Sequence, residues 1–168
     1  MEPSEIQKLY KWPFCDEKYK VDNMSIQINH NIIYTKDKLK RANIIPDDLC
    51  YLCKSEQHTI QHMFLKYSHV ALFWNEFFDW WSQVTSENVQ LPDSTILYGP
   101  TSPLKYHQPL SLALLGAKYF IYKCNINEQP LLFSLFKIQL RENIMTERYI
   151  AIKNKTTKLF MRNGNALY

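Results

Sequence analysis

A mainly α-helical fold with a small zinc-finger-like CxxC...H loop is predicted, on three observations. Only three glycines occur among 168 residues, too few for the tight turns of an all-β fold. Apolar residues recur at three- and four-residue steps through long segments, the period of an amphipathic helix. Where that period gives way to turn residues, in IPDDLCYLCKSEQ, stand two cysteines with two residues between them, Cys50 and Cys53.

The length suits one compact domain or a fragment of something larger. With 46% hydrophobic and 14% aromatic residues the chain is too apolar for disorder. Residues 1–23 form a lead-in, 24–84 a helical segment containing the cysteine loop, 85–107 a linker and 108–168 a second helical segment. From Met24 to Ile45 the pattern gives two helices, the second capped by Thr35 and closed by Pro46. After the cysteine loop, Thr59 caps a helix carrying Ile60, His62, Met63 and Leu65. Val70, Phe73, Trp74, Phe77, Trp81 and Val84 then form one apolar stripe, read as core and not as a base-stacking surface. In the linker, Pro92, Gly99, Pro100 and Pro103 mark loop, with a short strand expected at STILYG. Leu110, Leu114, Ala117, Ile121 and Cys124 line the next helix. Leu131, Leu135, Ile138, Met145, Tyr149 and Ile152 line a longer last one, interrupted by Glu142, and the closing RNGNALY should fray.

The most apolar stretch, Pro109 to Cys124, contains Lys118 and Lys123 and is too short to span a bilayer, so no membrane association is expected. MEPSEIQKLYKW offers no apolar signal segment. The expected setting is intracellular and reducing, nuclear or cytoplasmic. Cys15 and Cys124 read as packed thiols, and His30 and His107 as ordinary histidines.

Two thiolates in CxxC can grip one Zn²⁺ because the turn between them brings both sulfurs to one side. A redox pair would instead sit at a helix start in a thioredoxin-like setting, which is missing here. His62, on the helix that follows, supplies a third ligand, so Cys50, Cys53 and His62 are the metal-binding candidates.

DLCYLCKSEQHTIQHMFLKYSHVALFW resembles the zinc-binding segment at the C-terminal end of reverse transcriptases encoded by non-LTR, long-interspersed-type retrotransposons. Cys50, Cys53, Thr59, His62 and Trp74 fall on that family's motif positions. QINHNIIYTKDKLKRANII before the loop, and ILYGP, LLGAKYFIYKCNINEQP and IAIKNKTTKLF after it, extend the similarity over roughly residues 10 to 160. The resemblance implies a fragment lacking the polymerase core, a zinc cofactor, and a helical module that helps hold RNA or DNA beside a reverse-transcriptase core present in cis in the ancestral element. It implies no catalysis by this chain and no small-molecule substrate. Polymerase chemistry needs metal-binding carboxylates, and the adjacent pair Asp47 and Asp48 lacks the Y-x-D-D context.

Where the family has its last cysteine, this chain has Tyr67, a poor zinc ligand beside two thiolates. His58 offers the order C-x2-C-x4-H-x3-H and is one candidate for the fourth ligand, although a cap at Thr59 would leave it outside the first helical turn. His69 can serve only if the helix breaks near Tyr67 or Ser68, since seven residues span about 10 Å of continuous helix. A water-completed three-ligand site, or no tight metal, are the other outcomes.

Lys and Arg total 20 against 16 Asp and Glu, a net charge of +4, mild for a nucleic-acid clamp. Its distribution singles out KDKLKR, with Lys36, Lys38, Lys40 and Arg41, and KNKTTK, with Lys153, Lys155 and Lys158, as phosphate contacts. The alternative is a metal-poor helical protein-interaction module with no retained nucleic-acid function.

Overall fold

Apolar residues at helical spacing produce a helical bundle in the computed structural model, which describes residues 17–86, 88–99 and 107–153. In chain order these are α1 (Glu17–Asn29), α2 (Lys36–Arg41), a π-helical turn (His62–Lys66), α3 (Ser68–Thr85), α4 (Asp93–Tyr98), α5 (His107–Ile126) and α6 (Phe133–Lys153). Among the described residues there is no strand beyond an isolated antiparallel bridge between Leu49 and Gln57. No described helix is long and apolar enough to cross a membrane.

The core forms where α3 meets α5 and α6. Val70, Phe73, Trp74, Phe77 and Trp81 are buried as their spacing predicts, while Val84, one residue before the end of α3, is exposed. Phe73 stacks on Phe120 of α5 at 6.0 Å between ring centroids and meets Phe133 and Phe136 edge-on at 5.5 Å each. Edge-to-face and offset pairs let a positive ring edge meet a negative face, adding about 0.5–1.5 kcal/mol per pair beyond area burial. Leu110, Leu114, Ala117, Ile121 and Cys124 all lie on the buried side of α5, and Met24 and Ile28 of α1 complete the packing.

Two sequence expectations are corrected. STILY is helical, not a strand, with Gly99 just past the helix end: α4 follows the extended Pro92 and buries Ile96 and Leu97. With no neighbouring strand to pair with, its backbone is satisfied locally, through Ile96 N–H to Pro92 O at 3.1 Å and Gly99 N–H to Thr95 O at 2.9 Å. Lys118, buried on α5, donates its ammonium to Leu97 O at 3.0 Å near the C-terminus of α4. The second correction concerns α6, whose inward side is Phe133, Phe136 and Leu140. Leu135, Ile138, Met145, Tyr149 and Ile152, expected in the core, are exposed, and only Leu131 packs partly against it. Aromatic rings bury more apolar area than aliphatic side chains, so the two phenylalanines turn the helix. Cys15 and the RNGNALY tail lie outside the described residues.

Candidate metal centre

The cysteine loop is closed on itself before any metal is considered. Cys50 N–H donates to Glu56 O at 2.8 Å and Lys54 N–H to Cys50 O at 3.0 Å, while His58 N–H reaches Asp48 O at 2.8 Å. Lys54 takes a positive φ of 53° to make the turn, a conformation that suits glycine better than a side-chain residue. Hydrogen bonds from backbone groups converge on both sulfurs.

Thr59 acts as the expected cap: its hydroxyl accepts the His62 N–H at 3.1 Å and its carbonyl accepts Met63 N–H at 2.9 Å. The turn then widens, with Tyr67 N–H donating to His62 O at 2.9 Å, and Tyr67 turns to extended backbone at ψ 129° before α3 begins. Such π-type widenings recur at functional sites because they re-aim a side chain. Trp74 fastens this turn from α3, its indole N–H donating to Phe64 O at 2.8 Å inside the core.

Together these elements converge Cys50, Cys53 and His62, whose ligand atoms all lie within 4.8 Å of one another. Cys53 Sγ stands 3.4 Å from His62 Nε2. Zn–S and Zn–N bonds of about 2.3 and 2.0 Å at a tetrahedral angle require a sulfur–nitrogen separation of roughly 3.5 Å, so the group fits zinc. The other imidazole nitrogen, Nδ1, lies 3.0 Å from Glu56 Oε2. A carboxylate there orients the ring and raises its basicity toward a metal at Nε2.

The two thiols are poised differently. Burial pushes the Cys50 thiol up. Burial also works to raise Cys53, but hydrogen bonds from the Ser55 side chain and from the Ser55 and Glu56 backbone outweigh it and bring that thiol down to about 6. Thiolate, not thiol, ligates zinc, so Cys53 presents a ready first ligand at neutral pH. Tyr67 stands beside the group, its ring centroid 5.9 Å from that of His62. Burial and then the charges of Cys50 and Cys53 push its hydroxyl above the ordinary value, which leaves it a neutral neighbour.

His58, a candidate for the fourth ligand, is committed elsewhere. Its Nδ1 accepts Lys36 N–H at 3.0 Å, at the start of α2, and its Nε2 lies 2.7 Å from Asn125 Oδ1. Both ring nitrogens are occupied in a neutral tautomer that burial favours by lowering the ring's pKa. The chain does break between Tyr67 and Ser68, yet His69 is exposed, stacked on Tyr67 at 5.0 Å. Neither histidine joins the three-residue group, and His30 is exposed. Among the described residues the site therefore has three protein ligands. Cys124 is the packed thiol its spacing suggests.

The basic cluster is largely engaged within the fold. Lys36 pairs with Asp47 at 2.7 Å and lies over the Tyr51 ring, and Lys40 pairs with Asp48 at 2.8 Å. Arg41 pairs with Asp37 at 2.8 Å, and Lys38 donates to Asn31 O and Ile33 O at 2.7 and 2.8 Å. Of these side chains, Lys40 and Arg41 are the more solvent-exposed paired ones, at 47% and 70% against 14% for Lys36. Thr35, the expected cap of α2, directs its hydroxyl to Asp37. In the second cluster Lys153 is exposed at the end of α6, while Lys155 and Lys158 lie outside the described residues. Sequence reasoning missed Glu56, His58 as a brace, and Asn125. No familiar spacing marks them: His58 and Asn125 act through partners brought close only by the fold, and Glu56 reaches His62 across the loop itself.

Residues 5–74 match the family model described as zinc-binding in reverse transcriptase. No curated protein and no solved structure matches the chain.

Proposed function

We propose, from the premise that residues 5–74 form a zinc-binding segment of the reverse-transcriptase type, that this chain is a zinc-clamped helical module that binds RNA or DNA. It would do so alongside a reverse-transcriptase core, in cis in the non-LTR retrotransposon from which it derives. The observation that carries the reading is the convergence of Cys50, Cys53 and His62 at zinc-compatible spacing, braced by Glu56. Zinc would lock the 50–62 loop, and the loop in turn holds the start of α2 through His58. That geometry supports phosphate contact by Lys40 and Arg41, whose side chains face solvent. Lys36 and Lys38 serve the fold first, and Lys153, Lys155 and Lys158 form a second basic stretch. The role is one of holding, not of reaction: Asp47 and Asp48 are bound to Lys36 and Lys40. An intracellular setting, nuclear or cytoplasmic, suits the free thiols.

Two measurements test this. Elemental analysis should find one zinc per chain in the wild type and in His58→Ala, and none in Cys50→Ser or His62→Ala. Nucleic-acid affinity should fall steeply with salt, and Lys40→Ala with Arg41→Ala should flatten the log–log slope by about 1.8, at roughly 0.9 per phosphate contact for duplex DNA. A slope that stays unchanged removes α2 from the interface.

A further inference from the structure

The outward face of α6 carries Leu135, Ile138, Met145, Tyr149 and Ile152, which are 47%, 56%, 54%, 66% and 56% exposed. With Leu131 before them and Glu142 between, these residues advance by four, three, four, three, four and three positions. The mean step is 3.5 residues, not the 3.6 of a straight helix. A stripe of that period drifts by about 20° per heptad unless the helix supercoils around another. It is the seam pattern of a coiled coil, in which alternate steps supply the two apolar positions of each heptad.

Among the described residues only Leu131, at the start of this seam, packs partly against the core, and from Leu135 onward the seam is left open. The side of α6 that packs on the bundle is Phe133, Phe136 and Leu140, and among the described residues no member of the core cluster lies beyond Leu140. The interaction surface is thus distinct from the metal centre and stands whether or not zinc binds.

Charge identifies the occupant. Arg141 and Arg148, both exposed, fall at the flanking position just before the seam residues Glu142 and Tyr149, and exposed Lys153 falls just after Ile152. Flanking positions of a coiled coil meet their counterparts on the partner helix and set its identity. A second copy fits badly in either direction. Parallel pairing puts Arg148 opposite the partner copy's lysine at the following flank, and antiparallel pairing puts Arg141 opposite the other copy's arginine. Glu142, in the middle of the seam, requires a basic residue across from it.

We infer that the outward face of α6 docks an amphipathic helix of a separate protein, one with a 3.5-residue apolar seam, carboxylates along its flanks and a basic residue opposite Glu142. The test uses the full chain and two synthetic four-heptad peptides with the same leucine seam and one seam lysine. One peptide carries glutamate at all flanking positions, the other lysine. Fluorescence anisotropy should show the acidic peptide binding at least about tenfold tighter than the basic one. Binding should vanish in Ile138→Glu with Met145→Glu, two exposed changes whose fold is checked by circular dichroism. Equal binding of both peptides, binding of neither, or binding that survives the double variant would overturn the inference. So would a homodimer in sedimentation equilibrium that the double variant dissolves, since the face would then belong to a second copy.

Discussion

Raising the pH from 7 to 10 should stabilise this fold through Lys118, and the effect should disappear in Lys118→Met. The lysine is 4% exposed, with its ammonium on Leu97 O. Burial lowers its pKa from the ordinary 10.5 to about 8. The folded state therefore holds fewer protons than the unfolded state at pH values between 8 and 10.5, and stability must rise with pH across that window. Below pH 8 the cost of the buried charge is present in full; above 10.5 it is gone. Integrating the linkage from pH 7 to pH 10 gives the wild type a gain of roughly 2–3 kcal/mol that methionine cannot show. Guanidinium titrations of both proteins at pH 7, 8, 9 and 10, under reducing agent, read the difference directly. Ionisation of tyrosines and cysteines is common to both chains and cancels; Tyr122, pushed up to about 12 by burial, stays protonated in the fold throughout. A wild-type-minus-variant difference that stays flat from pH 7 to 10 would refute the reasoning.

Three further outcomes follow from the site and the core. Glu56→Gln should weaken zinc affinity by about tenfold to a hundredfold, as loss of an orienting carboxylate does, read by competition with a chromophoric chelator; an unchanged affinity would dismiss Glu56 as a support for His62. Tyr67→Cys adds a thiolate beside the Cys50, Cys53 and His62 group and should tighten zinc by at least about tenfold in the same assay, and no gain would mean that position 67 does not reach the metal. Gly116→Ala should raise stability by roughly 0.5–1 kcal/mol, because a methyl group there would meet Leu140 Cδ1 and Phe136 Cε2 at an ordinary 4.0 Å; a lower melting temperature would show that α5 and α6 need the bare backbone.

The stretches legible in sequence were those where one local period or one local turn decides the outcome. The α3 stripe through Trp81 and the α5 stripe through Cys124 each bury the side their spacing predicts, and Thr59 caps where a lone hydroxyl before an apolar run should. Cys50, Cys53 and His62 were readable for the same reason, since a turn and a few following residues suffice to bring them together. The α6 stripe was just as regular, yet regularity marks an apolar face without saying what that face meets. Phe133 and Phe136 settled that competition through their partners Phe73 and Phe120, which sequence order does not display. His58 stands apart from the metal group for a similar cause: its spacing to His62 was suitable, but Lys36 and Asn125 reach its two nitrogens.

The bond between His58 and Asn125 has a bearing on the order of folding. Cys53 and His62 lie 9 residues apart, whereas His58 and Asn125 are 67 apart. Closing a flexible loop of the larger size costs about 3.7 kcal/mol from its length dependence alone, by the logarithmic law for chain closure. Local loops close first and distant contacts must wait for the chain between them to collapse. The cysteine turn can thus gather its ligands while α5 is still undocked, and α5 then arrives to clasp a loop already in place. Zinc acting early in this sequence would serve as a nucleus for folding, with the aromatic core condensing against a finger that is already formed.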